Sequence, residues 1–525
     1  MLAGFKSIMK ITLVIKRIFY SEGSTPLPIK ICFLLFTICL FNAISMTSVF
    51  SYLPHLVKDF GSTEVDAGRK SGIIASAMFV SRIFSSLLWG YICDKCGRKI
   101  SLLMSGGCVA ISTFMFGFSF NYPWAVVTRF LQGLSMGIVV ITKAYMSDIC
   151  DDSNLATGLG VVFSGYNVGL VIGPSMAGFL VFPVETYPKV FKKDSFFDTF
   201  KIFIPNFIIV LGMTLALLAS IFVLPKKTYN DNDSLLIEDK KDSSMFNVDA
   251  YLNCSVDIEL LKKSKRLQTS ESTRLIDPKL SKLKKFWILL KMSSFFKLLR
   301  NKEFLISSML YGLYTLFTIG YEELFPVFAS TSIEYGGLGM STSEIGLLYL
   351  VISITMFILQ LVLVNKMINR FGSKKIFIVS SLIFGFLMPF IPLISVIKNK
   401  VFLWIILWIN QVFIRVAMTS GFTAVNIFIN NSVESDLLGI ANGVGMSASS
   451  IGRSIGPASF GSLFTWSLAN RRSFPFNQYF SFILILVVTI IVSLISLCVP
   501  ESLNKKKIES VKKSTVTVTT SVFKL

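Results

Sequence analysis

The chain has 525 residues, 53% of them hydrophobic and only 15% charged, with a mean hydropathy of +0.67. A soluble chain carries about a quarter charged residues, so an ordinary soluble domain is excluded. The net charge of +21 does not indicate nucleic acid, because the basic residues gather in short connections between apolar runs, as they do in cytoplasmic loops of membrane proteins.

Those apolar runs are roughly 20 residues long, enough to cross about 30 Å of hydrocarbon. Six precede a polar linker, at 30–54, 69–92, 100–120, 123–146, 157–182 and 200–225. Six follow it, at 303–330, 342–365, 375–397, 401–430, 437–466 and 475–499. Barrel strands need only about ten alternating residues, so the reading is an all-α membrane protein of twelve transmembrane helices in two pseudo-symmetric bundles. No small-residue cleavage site follows the first run, so it is not expected to be a cleaved signal. The domains are then a tail at 1–29, bundles at 30–225 and 303–499, a linker at 226–302 and a tail at 500–525.

Charge sets the expected orientation. Lys95, Arg98 and Lys99 follow span two, Lys366, Arg370, Lys374 and Lys375 follow span eight, and the linker and second tail are lysine-rich. Loops 121–122 and 331–341 carry no Lys or Arg. Both termini are expected in the cytoplasm, although Lys189, Lys192 and Lys193 sit on the opposite side. The sequons at Asn232, Asn253 and Asn430 then all face the cytoplasm and carry no sugar. Most of the linker has the composition of a disordered segment, while its end, "LKKFWILLKMSSFFKLL", has the spacing of a basic amphipathic helix.

Four motifs stand out in chain order. "GYICDKCGRK" follows span two and "RFLQG" lies in span four. "GLVIGPSMAG" in span five and "GRSIGPASFG" in span eleven share one spacing: Gly169, Gly173, Pro174 and Gly178 match Gly452, Gly456, Pro457 and Gly461. Span eleven is the fifth of the second half, so the chain reads as an internal duplication, a common build for secondary transporters. Glycines four apart make a flat face for close helix packing, and proline favours a bend. The pair is therefore expected at the interface between the halves.

Charge within the apolar runs costs about 2.5–3.5 kcal/mol per residue even on lenient scales. Arg82, Arg129, Lys143, Glu322, Glu323, Arg415 and Arg453 all fall there. Proton coupling requires a carboxylate or histidine that changes protonation, and Glu323 is the leading candidate, ahead of Glu322, Asp94 and the single histidine, His55. A static Glu323–Arg453 or Glu323–Arg415 pair is the structural alternative. Gln132, Tyr166, Asn167, Tyr314, Gln360, Asn426 and Asn442 supply a polar, mostly uncharged centre, with Arg129 or Arg415 available for a carboxylate. That suits a neutral, zwitterionic or anionic solute better than a bare cation. The lone histidine and the overlap of "CDKC" with a loop motif argue against a metal or redox site. With no P-loop and no nucleophile–base constellation, neither ATP-driven transport nor an enzyme is expected, and no cofactor.

The motifs resemble those of the major facilitator superfamily. Gly90, Asp94, Gly97, Arg98 and Lys99 match its loop after span two, Arg129, Gln132 and Gly133 its R-x-x-Q-G segment, and the Gly-Pro stretch the antiporter motif of span five. "MFVSRIFSSLLWG", "YEELFPVFAS" and the stretch 438–467 resemble the zinc-induced-facilitator-like, drug:proton antiporter branch. The resemblance implies the major facilitator fold and a monomer in the lipid bilayer of the plasma membrane, vacuole or another organelle. It also implies alternating-access proton antiport of an organic anion, zwitterion, chelator or xenobiotic, and in the family the loop after span two latches the outward-facing state. The plant members' Cys-Pro-x-Cys element is missing here, and "LPKKTYN" replaces their Pro-Glu-Thr segment, so a zinc-related substrate is not carried over. Uncoupled facilitated transport is the alternative within transport; a non-transporting receptor or scaffold is a remote one.

Overall fold

The computed structural model describes residues 25–225 and 298–504, apart from short stretches at 152–153, 360–366, 368–369, 435–436 and 470–471. The linker, its amphipathic end up to 297, both tails and Gln360 lie outside the described residues. Twelve long helical segments are present, and no strand occurs among the described residues. The first half comprises α1 (Ile29–Ser51), α2 (Ala67–Cys96), α3 (Arg98–Gly117), α4 (Tyr122–Ile149), α5 (Leu155–Leu180) and α6 (Phe203–Val223). The second comprises α7 (Lys302–Ser330), α8 (Thr342–Leu359), α9 (Ser373–Ile394), α10 (Lys400–Asn431), α11 (Leu438–Ala469) and α12 (Phe480–Leu497).

Nine of these are apolar enough to be recognised as membrane spans by composition. The other three are α2, α8 and α11. Glycine, serine and charge dilute α2 and α11, although at 30 and 32 residues each is long enough to cross. The helices begin where local chemistry satisfies their first N–H groups. Asn121 accepts from Trp124 N, Asn301 from Glu303 N and Phe304 N, and Asn399 from Val401 N and Phe402 N. A reciprocal Ser341–Glu344 capping box opens α8.

Thr25 packs on the α4–α5 connection and Asn504 on the start of α9, so both described ends share one end of the molecule, called here the near end. The α4 helix is interrupted at Met136 and Gly137. Freed backbone inside a bilayer needs a protein partner, and neighbours supply it: Trp89 Nε1 donates to Leu134 O, Ser105 Oγ donates to Ser135 O, and Gly137 N donates to Ser105 Oγ. One apolar core runs through both halves, and a second lies at the far end beneath the short helix Leu53–Asp59.

The halves meet at the far end. A Cβ on Gly72 of α2 would lie 2.3 Å from Pro457 O of α11, and one on Gly178 of α5 would lie 2.6 Å from Gly346 Cα of α8. Ala458 N donates to Ser76 Oγ, Arg69 N to Thr465 Oγ1, and Lys58 Nζ to Ser330 O across the same seam. Followed at helical spacing, the facing stripes of α2 and α11 reach Gly90 and Gly443 at the near end. A Cβ at either would meet nothing within 4 Å among the described residues. Among the described residues the halves are joined at the far end, and these stripes make no such contact at the near end.

Candidate functional site

Between the halves lies a cavity of about 430 Å³. The first half contributes Met46, Thr47, Phe79, Tyr166, Asn167 and Pro174; the second contributes Glu322, Tyr349, Ser353, Arg415, Asn426 and Arg453. Along α10, Arg415, Thr419, Thr423 and Asn426 recur at helical spacing and form one polar stripe. Sequence reading picked out the two ends of this stripe and missed the two threonines, which the same periodicity would have found. It also missed Tyr349 and Ser353, four residues apart on α8.

Of the cavity residues expected from sequence, Tyr166, Asn167, Arg415, Asn426 and Arg453 line it, and four do not. Arg129 is 1% exposed and held behind α1, where its guanidinium donates to Ser45 O, Met46 O and, at 2.5 Å, Gln132 Oε1. Gln132 in turn donates to Ser45 O and Thr113 Oγ1. Gly133 of the same motif lets α4 touch α2, since a Cβ there would lie 1.9 Å from Met78 O. Tyr314 is buried and donates to Ala417 O and Met418 O. Asn442 bonds Asn430 Oδ1 at 2.8 Å. These four reside in helix contacts and not in the cavity wall because their polar atoms find backbone or side-chain partners there.

The acidic pair divides its tasks. Glu322 faces the cavity and is salt-bridged to Arg415, whose guanidinium lies 5.4 Å from the Tyr349 ring centre. Glu323 is 1% exposed, and neither carboxylate oxygen has a hydrogen-bond partner among the described residues. The expected Glu323–Arg415 and Glu323–Arg453 pairs are thus replaced by Glu322–Arg415, because successive helical residues point about 100° apart. Arg453 donates through Nε to Ser449 Oγ at 3.0 Å, and its guanidinium carbon lies 6.0 and 5.6 Å from the ring centres of Phe79 and Phe422. Arg82 reaches Met46 Sδ at 3.3 Å, and Lys143 lies 5.7 Å from the Phe163 ring.

His55 sits outside the spans, on the far-end helix. Burial and the Lys58 charge push its imidazole down to about 4, so it is neutral at physiological pH.

At the near end, Gly97 takes φ +82°, a conformation suited to glycine, and turns the chain from α2 into α3. Arg98 pairs with Asp148 at 3.2 Å, and Lys99 Nζ donates to Ile221 O and Leu224 O at the end of α6, where cations are favoured. Asp94 lies in the last turn of α2, a few residues beyond Gly90. The second half repeats this device: Gly372 has φ +80°, and Lys374 pairs with Glu501 at 3.3 Å.

The two Gly-Pro stretches are placed alike. Gly169 and Gly173 face α1, against Leu40 O and Thr47 Oγ1, while Gly452 and Gly456 face α7, against Gly312 O and Leu316 O. Only Gly178 and Gly461 cross to the other half, onto α8 and α2. The expectation of one glycine face along the seam is corrected: two glycines bind each helix into its own bundle and the third meets the opposite one. Helical rotation over the five-residue step past the proline turns the last glycine outwards.

The Major Facilitator Superfamily model matches residues 35–457, with a further match at 310–524. The chain belongs to the major facilitator superfamily. It is 29% identical over 465 residues to "Protein ZINC INDUCED FACILITATOR-LIKE 1" of Arabidopsis thaliana, covering 87% of this chain and 89% of the relative. It is 25% identical to the "Major facilitator superfamily multidrug transporter mfsB" of Aspergillus fumigatus, covering 85% and 80% respectively. Among solved structures, a D-xylose-proton symporter superposes with TM-score 0.62 at 14% identity, over 91% of this chain and 99% of that one. This major facilitator protein is therefore an integral membrane transporter, similar in sequence to the zinc-induced-facilitator-like proteins, and transporters of its superfamily carry small molecules.

Proposed function

We propose that this major facilitator exchanges protons for a small organic solute by alternating access, with the near end cytoplasmic. The observation that supports this reading is the Glu322–Arg415 salt bridge in the cavity wall, one residue from a buried carboxylate without hydrogen-bond partners. Each state of the pair has a cost. Protonating Glu322 leaves Arg415 unpaired in a low-dielectric wall, so the net charge of the wall changes with the proton. A charged solute then binds one protonation state better than the other, which links solute occupancy to the proton. Glu323 adds a second carboxylate beside the pair, and one without partners is relieved either by a proton or by a cation. Asp94 would act at the near-end latch. The proposal includes a functional monomer and no catalytic chemistry.

The test is lumenal pH in proteoliposomes holding an imposed proton gradient while a panel of organic acids, amino acids, chelators and drugs is added. Saturable proton movement with one solute, lost in Glu322→Gln, supports exchange. Saturable solute flux at constant pH would make the protein an uncoupled facilitator.

A further inference from the structure

We propose that Arg453 is the anion-binding residue of the cavity, and that the solute carries a carboxylate or similar oxyanion. The inference rests on reading the cavity as the solute site, but not on proton coupling. Three arginines near the centre are candidates. Arg129 is withdrawn behind α1, with its terminal nitrogens committed to Ser45 O, Met46 O and Gln132. Arg415 is neutralised by Glu322. Arg453 lines the cavity and has no carboxylate partner among the described residues.

The setting of Arg453 suits recognition. Its Nε is fixed by Ser449 one turn earlier, leaving both terminal nitrogens for a bidentate contact. The rings of Phe79 and Phe422 lie within about 6 Å of the guanidinium carbon, and a planar fork already held at Nε loses less conformational entropy on binding. Phe79 belongs to α2 and Arg453 to α11, and Asn167 of α5 and Asn426 of α10 also line the cavity. An anion held here therefore touches both halves. With Glu322 and Arg415 cancelling, the described wall carries one uncompensated positive charge, which disfavours a cationic solute.

The experiment is equilibrium binding to the purified full-length protein in detergent, without a gradient, read as ligand-dependent thermal stabilisation. The probes are 4-phenylbutyrate, its amide and its amine, matched in shape and differing in charge, with acetate, benzoate and citrate to sample size. The expected result is saturable stabilisation by at least one carboxylate and not by the amide or amine. Its apparent affinity falls at least about tenfold in Arg453→Gln, the loss expected for a charged hydrogen bond, and is partly retained in Arg453→Lys. Equal binding of amide and acid, no carboxylate binding, or unchanged affinity in a folded Arg453→Gln protein would overturn the assignment. Binding without proton movement in liposomes would sink antiport and leave the anion site standing.

Discussion

At the scale of residues, the decisive features are the Glu322–Arg415 pair, the unpartnered Glu323 and the placement of Arg129 against α1. Sequence alone identified all four as intramembrane charges, and that much follows from the cost of putting charge in hydrocarbon. Which glutamate meets the cavity was not legible, because two adjacent residues on a helix differ by rotation and their roles depend on the register of α7 against α10. Arg129 was misplaced for the related reason that its partners are backbone carbonyls of α1, which carry no sequence signature. The pairing makes a thermodynamic prediction. Breaking a buried ion pair from one side costs about 3–5 kcal/mol, so Glu322→Gln should lower thermal stability markedly. Glu322→Gln with Arg415→Gln should recover part of that loss in a double-mutant cycle, while neither variant exchanges protons. His55 predicts differently. Its imidazole is held down at about 4, so below the ordinary value near 6.5 the unfolded chain takes up a proton that the folded chain refuses. Stability therefore falls as pH drops from about 6.5 towards 4. His55→Gln should flatten that fall in a melting series and leave the pH profile of transport unchanged.

Helices α5 and α11 carry the argument at the scale of elements. Their shared Gly-Pro spacing was readable as a duplication, and the matched contacts of the two copies agree with that reading. The division of labour within each motif was not readable, since it depends on the rotation of the helix beyond the proline. It separates two kinds of variant. A side chain at Gly173 or Gly456 would collide with Thr47 Oγ1 at 2.3 Å or Leu316 O at 2.2 Å, inside its own bundle. Gly173→Leu and Gly456→Leu should reduce transport together with thermal stability. At Gly461 the collision is with Gly68 O at 2.3 Å, across the seam. Gly461→Leu should leave each bundle intact and hold the far end apart, read as faster labelling of a far-end cysteine by a membrane-impermeant maleimide. Glycine and serine also explain why α2 and α11 fall short as apolar spans: the helices that must approach one another most closely give up the large aliphatic side chains that mark a span by composition.

Seen as a whole molecule, two six-helix bundles are sealed at the far end by α2 on α11 and α5 on α8, with the cavity below the seal. The count of long helices and the repeat between halves were legible because each depends on run length or spacing. The closed end was not, because the same sequence must fit both ends in turn. Transport by this arrangement requires the far-end seam to part during every cycle. The most direct measurement is solute-driven exchange in a protein carrying Ser76→Cys and Ala458→Cys in a background freed of native cysteines, since Ser76 Oγ and Ala458 N lie 3.1 Å apart across the seam. Oxidation that cross-links the pair should stop exchange, and reduction should restore it. Undiminished exchange by fully cross-linked protein would contradict the alternating-access account.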